Sequence, residues 1–537
     1  MMRDVNPVGV TLRSTWGVTL GVALVTGLCS MVLPSRAGAA TIVVNSLYDT
    51  MSNNGVCTLR EAILNAEGDN HSGSTDCAAG SGADTIAFTV NGTIRVPSAL
   101  TITSPKGLTI DGGGKIIISG SDAQRSDRPG KITVDPAGVL TLAHLTVTES
   151  CGISNGGILT ISDSRVDSNG AAIVNGNELF CFFEGGISNS GTMTISHSTI
   201  SGNGVDKHMG SEFIPPFGGG IDNSGTMAIS HSTISGNGIT GGPRFDATGG
   251  AIHNAIGNTL TLSYSTVSDN GSLPPSFPAV TSGIFNNGTL KLSTSLLADG
   301  CSGPITSLGY NLDKIGTCGL TATGDKSNID PRLDPAGLKD NGGPTKTLAL
   351  CTGSGTPAGC TGKSPAIDAI PTANCTGAGG NPLGVDQRGF FRPADGDRNG
   401  TVLCDMGAFE ATSSPLQTLN SLVTFTPLPA TYQTSRDTTG CPAGSVGKFR
   451  FTADLTNKPG SPPLSHLVAE VATLTKGNLV LNADGGLGGD GATITFSPNG
   501  QYADGVLSAK EHVGLPVTLC LKTFDQFTFF VDVLGTH

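Results

Sequence analysis

The amino-acid sequence predicts an all-β protein: a right-handed parallel β-helix (solenoid) with an N-terminal helical cap and a C-terminal immunoglobulin-like β-sandwich. Three observations predict it. The segment GISNSGTMTISHSTISGNG begins at Gly186 and returns from Gly220 as GIDNSGTMAISHSTISGNG, with weaker copies from Gly152, Ala251 and Gly283 at spacings of 31 to 34 residues. A period of this size marks stacked supersecondary units. Glycine supplies 78 of the 537 residues, whereas aromatic residues make up 5% and charged residues 13%, a composition suited to short strands and tight turns rather than to an ordinary enzyme core. Beyond Glu410, the runs VTFTPL, GKFRFTADL, LVAEVATLT, ATITFSP and FTFFVDVL alternate with Gly and Pro turns, as in a sandwich of antiparallel strands.

In chain order, residues 1–40 carry Arg3 and Arg13, the apolar run WGVTLGVALVTGLCSMVL, Pro34 and the small-residue stretch AGAA. This reads as a secretory signal cleaved near Ala39 or Ala40, an uncleaved membrane anchor being the alternative. No transmembrane span is expected in the mature chain. Cleavage would remove three basic residues and one acidic residue, so the formal net charge of −12 becomes −14, which excludes nucleic acid as a partner. Twelve of the thirteen cysteines lie beyond the signal, with no CxxC pair, and disulfides are their simplest use in an exported chain. Local spacing suggests Cys57 with Cys77, Cys301 with Cys318, Cys351 with Cys360 and Cys441 with Cys520, although sequence alone does not fix connectivity.

Residues 41–83 contain CTLREAILNAE, the clearest amphipathic helix in the chain, placed to cover the open end of a coil that begins near Asp84. Residues 84–310 form the repeats. In each copy apolar residues alternate over a short run, as at Met193 and Ile195, and resume at Ile200 after His197 and Ser198, which reads as strand, bend, strand and so as one winding of a coil. About eight or nine windings are available, stacked at roughly 4.8 Å each. Asn189, Asn223 and Asn254 fall in register, as do Asn203, Asn237 and Asn270, so side-chain amide ladders are expected along the bends. Length variation is confined to inserts after the SGNG or SNG bend, which therefore emerge on one side. They carry Phe182, Phe183, Phe213, Phe217, Arg244 and Phe245, the expected ligand-binding surface. The alternative is that these side chains only pack the inserts against the coil.

Two groups of residues carry chemistry. Asp163, His197, His231, Tyr264 and Thr294 occupy one aligned position of the repeat, and Asp163, His197 and His231 are the catalytic candidates of the chain. Hydrolysis of a glycosidic bond needs paired carboxylates, and this column has one, at a bend where Asp and His are common for backbone reasons; it is read first as structure. In DGDRNGTVLCD, Asp395, Asp397 and Asn399 alternate before Gly400, the opening of an EF-hand-like calcium loop. The twelfth position holds Met406 rather than Glu, with Asp405 beside it as the expected substitute ligand. A polar turn without an ion is the alternative.

The string CTLREAI from Cys57, followed by Asn65 and GADTIAF, resembles the CSLREA domain of exported bacterial β-helix proteins, with Thr58 where that family usually has Ser. Farther on, NIDPRLDPAGLKDNGGPTKTLAL, SPAIDAI and DQRGFFRPADGDRNGTVLCDMGAFE resemble the choice-of-anchor Q domain over residues 311–410. The two resemblances imply a secreted or cell-surface context and name no activity. Residues 415–537 are expected to be the β-sandwich, stapled by Cys441 and Cys520. The function expected from all of this is a noncatalytic structural or adhesive protein that binds a polysaccharide or a surface protein. A polysaccharide lyase or glycoside hydrolase on the same scaffold is the alternative, and a purely architectural spacer is a third reading.

Overall fold

The computed structural model describes residues 39–120, 130–170, 185–206, 219–240, 250–271, 283–353, 355–376, 384–397, 399–411, 416–442, 444–483, 488–503 and 505–537, together with the backbone of Val8–Leu12. Two compact units divide the chain: one spans residues 40–375 and 385–415, and the other is built on residues 416–537.

The first unit is a parallel β-helix. Each winding contributes up to three short strands, shown by Ile187–Asn189, Thr192–Ser196 and Thr199–Ser201. Each pairs in parallel with its counterpart one repeat on, as Ile187 with Ile221, Thr192 with Thr226 and Thr199 with Thr233. Columns of aliphatic side chains fill the interior: Leu159, Met193, Met227, Leu260 and Leu290 in one, and Ile153, Ile187, Ile221, Ile252 and Ile284 in another, each at most 1% exposed. Burying such a side chain contributes roughly 1.5–3 kcal/mol, repeated at every winding. The stacked long strands run from Thr41–Val44 to Ile305–Ser307, so the coil starts before the helix rather than near Asp84. Thr41–Val44 pairs in parallel with Asp84–Phe88, and the helix is inserted between these two windings.

The bends are held by the expected ladders. Asn155 donates through Nδ2 to Asn189 Oδ1, Asn189 to Asn223 and Asn223 to Asn254, each at 2.7 Å, and Asn254 donates to Asn286 at 2.6 Å. A second ladder passes from Asn169 through Asn203 and Asn237 to Asn270 at 2.9–3.0 Å, and ends on the Asp299 carboxylate. Buried amides are thus paired along the axis rather than left unsatisfied. At the GNG bend the windings approach so closely that a Cβ on Gly204 would collide with the carbonyl oxygen of Gly238, one reason the chain uses so much glycine.

Helix Leu59–Gly68 buries Leu59, Ala62, Ile63 and Ala66 in the coil's core. Thr58 caps it: its hydroxyl accepts from Glu61 N, and the Glu61 carboxylate accepts from Thr58 N, a reciprocal capping box. Arg60 binds the Asp49 carboxylate and the carbonyls of Ser98 and Ala99, tying the helix to a later winding. The TLREA string is therefore a cap, two buried apolar residues, a clamp and a capping partner.

Leu312–Asp313 and Lys326–Ser327 still pair with the coil. After them the chain folds back along the short strands with little regular structure, held by Cys351–Cys360 and Cys375–Cys404. Cys57–Cys77 and Cys301–Cys318 are also bonded. The motif residues of this segment form a buried charge network. Arg388 pairs with Asp386 at 2.6 Å and lies between the rings of Phe390 and Phe409. Arg392, fully buried, pairs with Glu410 at 2.7 Å.

The second unit is a sandwich of two antiparallel sheets. One contains Phe527–Thr536 between Leu464–Leu474 and the strand Val8–Leu12, which lies within the expected leader; the other is centred on Gly447–Asn457 and His512–Leu521. Phe449 and Phe451 of one sheet meet Phe527 and Phe529 of the other edge to face, at 5.6 Å between ring centroids. Cys441–Cys520 closes the unit.

Candidate functional site

The column at the bend between long and short strands exists because that bend requires a left-handed backbone. Asp163, His197, His231, Tyr264 and Thr294 all have φ between 45° and 53°, and His144, one winding earlier, has φ 50°. The imidazoles of His197 and His231 stack at 4.9 Å, and His231 stacks on Tyr264 at 5.2 Å. The fold-back segment lies against this column and the short strands beside it. Thr345 donates to the carbonyl of His197, Thr199 to the carbonyl of Lys346 and Thr233 to the Gln387 side chain, while Gly407 N and Ala408 N donate to Thr294 O and Thr266 Oγ1. Tyr264 donates to Asn374 O, and the Arg392 guanidinium lies 5.1 Å from its ring. His231 Nε2 is buried with no hydrogen-bond partner among the described residues. Burial, with the nearby His197 and Arg392, pushes the His231 imidazole well below its ordinary range, so it is neutral. Asp163 makes no hydrogen bond to His197 among the described residues. The three catalytic candidates are thus brought together on one column, with His231 buried and Asp163 and His197 half-buried. One winding back on the same column, His144 pairs with Asp111 at 3.1 Å, both side chains more than 40% exposed.

The four expected calcium ligands divide. Asp395 and Asp397 converge with Asp368, their carboxylate oxygens within 4.8 Å of one another. Asp368 comes from the SPAIDAI string and was not expected. These oxygens already accept protein hydrogens: Asp395 from Asn399 N and Gly400 N, Asp397 from Asn399 N and the Lys363 ammonium, and Asp368 from Gly396 N and Asp397 N. Burial, followed by repulsion from Asp397 and Asp395, raises the Asp368 carboxyl, whereas Lys363 holds Asp397 below the usual range. Asn399 accepts from Thr401 N. Asp405 is fully buried and accepts from Asp368 N and Ala411 N, so its oxygens serve the fold-back segment rather than the loop. The arrangement is a polar turn closed by its own backbone and a lysine, with three carboxylates near the surface that offer hard oxygen donors.

Phe182, Phe183, Phe213, Phe217, Arg244 and Phe245 lie outside the described residues. The described chain fixes where their inserts leave and return: it ends at Asp206 and Thr240 and resumes just before Ile221–Asn223 and Ile252–Asn254. The inserts therefore feed into the Ile-x-Asn strands, on a different part of the winding from the histidine column. The middle residue of each such triplet points outward. In register these are Ser154, Ser188, Asp222, His253, Phe285 and Ser302. His253 Nδ1 bonds Asp222 Oδ1 at 2.6 Å, both side chains 11% exposed, and the Phe285 ring lies 5.8 Å from the imidazole. Sequence reading missed this pair. Its only signal was the departure from Ser at one outward position of an otherwise uniform triplet.

No protein-family model and no curated protein matches the chain. Solved structures that match include pectate lyase Pel9A, at 13% identity over 70% of this chain and 97% of that one, with a TM-score of 0.35. The Dettilon tailspike protein gp208 matches at 14% identity over 91% and 94%, with a TM-score of 0.24. Bacteriophage CBA120 tailspike protein 4 matches at 11% over 84% and 64%, with a TM-score of 0.19. At these identities and TM-scores none bears on what this chain binds or does.

Proposed function

We propose that this chain is an exported, noncatalytic β-helix protein of the cell surface or extracellular space, which binds a polysaccharide or a surface protein through the face fed by its inserts. The observation that carries the reading is the burial of His231, its Nε2 without a partner among the described residues, in a column that offers a single, half-buried carboxylate, Asp163. The fold-back segment meets the His197 carbonyl through Thr345, and Thr233, Thr294 and Thr266 on the column and the short strands beside it through Gln387, Gly407 and Ala408. The face that receives the inserts is where the repeat departs from uniformity, and solenoids bind on the face that carries their insertions. Five disulfides among the described residues support an oxidising destination, and residues 1–40 act as the cleaved leader. The well-formed TLREA cap and the buried network of the fold-back segment support membership of the CSLREA and choice-of-anchor Q group.

The test is to incubate the mature protein with a panel of acidic and neutral polysaccharides, with calcium and then with chelator, recording binding and newly released chain ends together. Binding without release, lost when the insert phenylalanines are replaced by alanine, is the expected result. Released ends that vanish on replacing His197 and His231 would overturn it in favour of a lyase or hydrolase.

A further inference from the structure

We infer that His253 and Phe285, with Asp222 behind the imidazole, form a glycan subsite on the outer face of the Ile-x-Asn strands. This deepens the reading above and rests on it. Three features of the face select the chemistry of the ligand.

The backbone of this face is spent. Ile252–Asn254 is paired in parallel on both sides, with Ile221–Asn223 and Ile284–Asn286, so a peptide cannot be recognised by adding a strand here and recognition must run through side chains. The second feature is the pair itself. With Nδ1 fixed on Asp222 at 2.6 Å, the ring is oriented and its tautomer set, leaving Nε2 as the group that meets a ligand. Among the described residues Nε2 has no hydrogen-bond partner. A recessed, preorganised polar group beside an aromatic ring is the combination that holds a sugar, one face of the pyranose on the ring and a hydroxyl on the imidazole. Phe285, half-buried on the next winding, is placed to supply that ring.

The third feature is the continuation of the row. Ser154 and Ser188 precede Asp222, and Ser302 follows Phe285, one outward group per winding, at about 4.8 Å along the axis. A linear polyhydroxylated chain laid along the coil would meet a new hydroxyl, carboxylate, imidazole or ring at each winding. The site carries one carboxylate and one imidazole held together, and no cluster of basic side chains among the described residues, so neutral polysaccharide is favoured over strongly acidic polymer.

The experiment uses the full mature chain and isothermal titration with the neutral polysaccharide that the wild type binds best in the panel. His253→Gln and Phe285→Ala should each weaken binding by about tenfold, the effect of one lost hydrogen bond or stacking contact, while Phe285→Tyr retains it. Asp222→Asn should weaken binding through the imidazole orientation. Thermal unfolding of each variant separates lost contact from lost fold, and Phe285→Tyr keeps the test open where Phe285→Ala unfolds. Wild-type binding that is lost on replacing the insert phenylalanines yet unchanged in His253→Gln and Phe285→Ala overturns this subsite and leaves the broader reading standing. A wild type that binds no polysaccharide in the panel overturns this subsite and leaves the broader reading with a surface protein as its ligand.

Discussion

Replacing Asn223 with alanine isolates what the amide ladder contributes. Asn223 is fully buried; its Nδ2 donates to Asn254 Oδ1, Gly225 O and Thr259 O, and its Oδ1 accepts from Asn189 Nδ2 and Gly225 N. Alanine removes a ladder partner on each side, leaving Asn254 Oδ1 without its donor and Asn189 Nδ2 with only its two long contacts to Gly191 O and Thr226 O at 3.3 Å. A buried group left unpaired costs about 1–3 kcal/mol, so two disturbed neighbours predict a loss of roughly 2–5 kcal/mol. Asn155 heads the same ladder and touches one ladder amide, that of Asn189, so Asn155→Ala should lose about half as much. The only tryptophan, Trp16, lies in the proposed leader, so unfolding of a chain without residues 1–40 is best followed by far-ultraviolet circular dichroism in guanidinium. Hydrogen exchange at residues 221–235 then localises the change. Equal losses for the two variants, or a loss below about 0.5 kcal/mol for Asn223→Ala, would refute the idea that the amides act as a connected ladder.

Three further outcomes are expected. Gln387→Ala removes a buried side chain that bonds Ser198 O, Thr199 Oγ1, Thr345 Oγ1 and Thr233 Oγ1. It should cost about 2–4 kcal/mol and speed proteolysis within residues 331–411; an unchanged digestion pattern would refute the role of Gln387 in holding the fold-back segment on the short strands. Burial pushes the Glu410 carboxyl from 4.5 up to about 7, against the pull of Arg392. The folded chain therefore holds a proton there that the unfolded chain has released, and this contribution is full below about pH 4.5 and fades as pH rises through about 7. Glu410→Gln should flatten the fall of the thermal midpoint over that window relative to wild type, and parallel curves would refute the assignment. Thr58→Ala should cost about 1 kcal/mol through the lost cap, whereas Thr58→Ser should be neutral within a few tenths; equal loss in both would mean that the hydroxyl is not the cap.

What could be read from the sequence follows the range over which each feature is encoded. The ladder register was legible because near-identical copies place Asn189 and Asn223 at the same offset, and identical offsets in stacked windings mean contact. Thr41–Val44 was not, because a four-residue run has too little alternation to stand out and its partner lies 44 residues on, beyond an inserted helix. The cover over the histidine column shows the same limit. His197 and His231 could be placed side by side, yet the groups that cover them come from contacts about 150 to 190 residues away, as between Thr199 and Lys346 or Ser198 and Gln387, and no local pattern announces such a cover. Asp368 joined Asp395 and Asp397 for the same reason: two strings that look like separate motifs fold onto one turn. Asp222 and His253 were visible as residues but not as a pair, because each looked like ordinary variation in its own copy.

The parallel register has one more consequence, which concerns length as a variable. The central windings that begin at Gly186 and Gly220 present the same three strands, the same amides and the same glycine to each other, so either could take the other's place. Gly186 and Gly220 open two copies that are almost interchangeable, and excising one whole period between them would rejoin Asn189-type and Asn203-type amides to equivalent partners without disturbing either end. The coil then behaves as a ruler whose graduations can be added or removed in whole steps of about 4.8 Å. The spacing between its two ends is set by how many times a short stretch of the gene has been copied, while the chemistry of each graduation is left free to change one residue at a time.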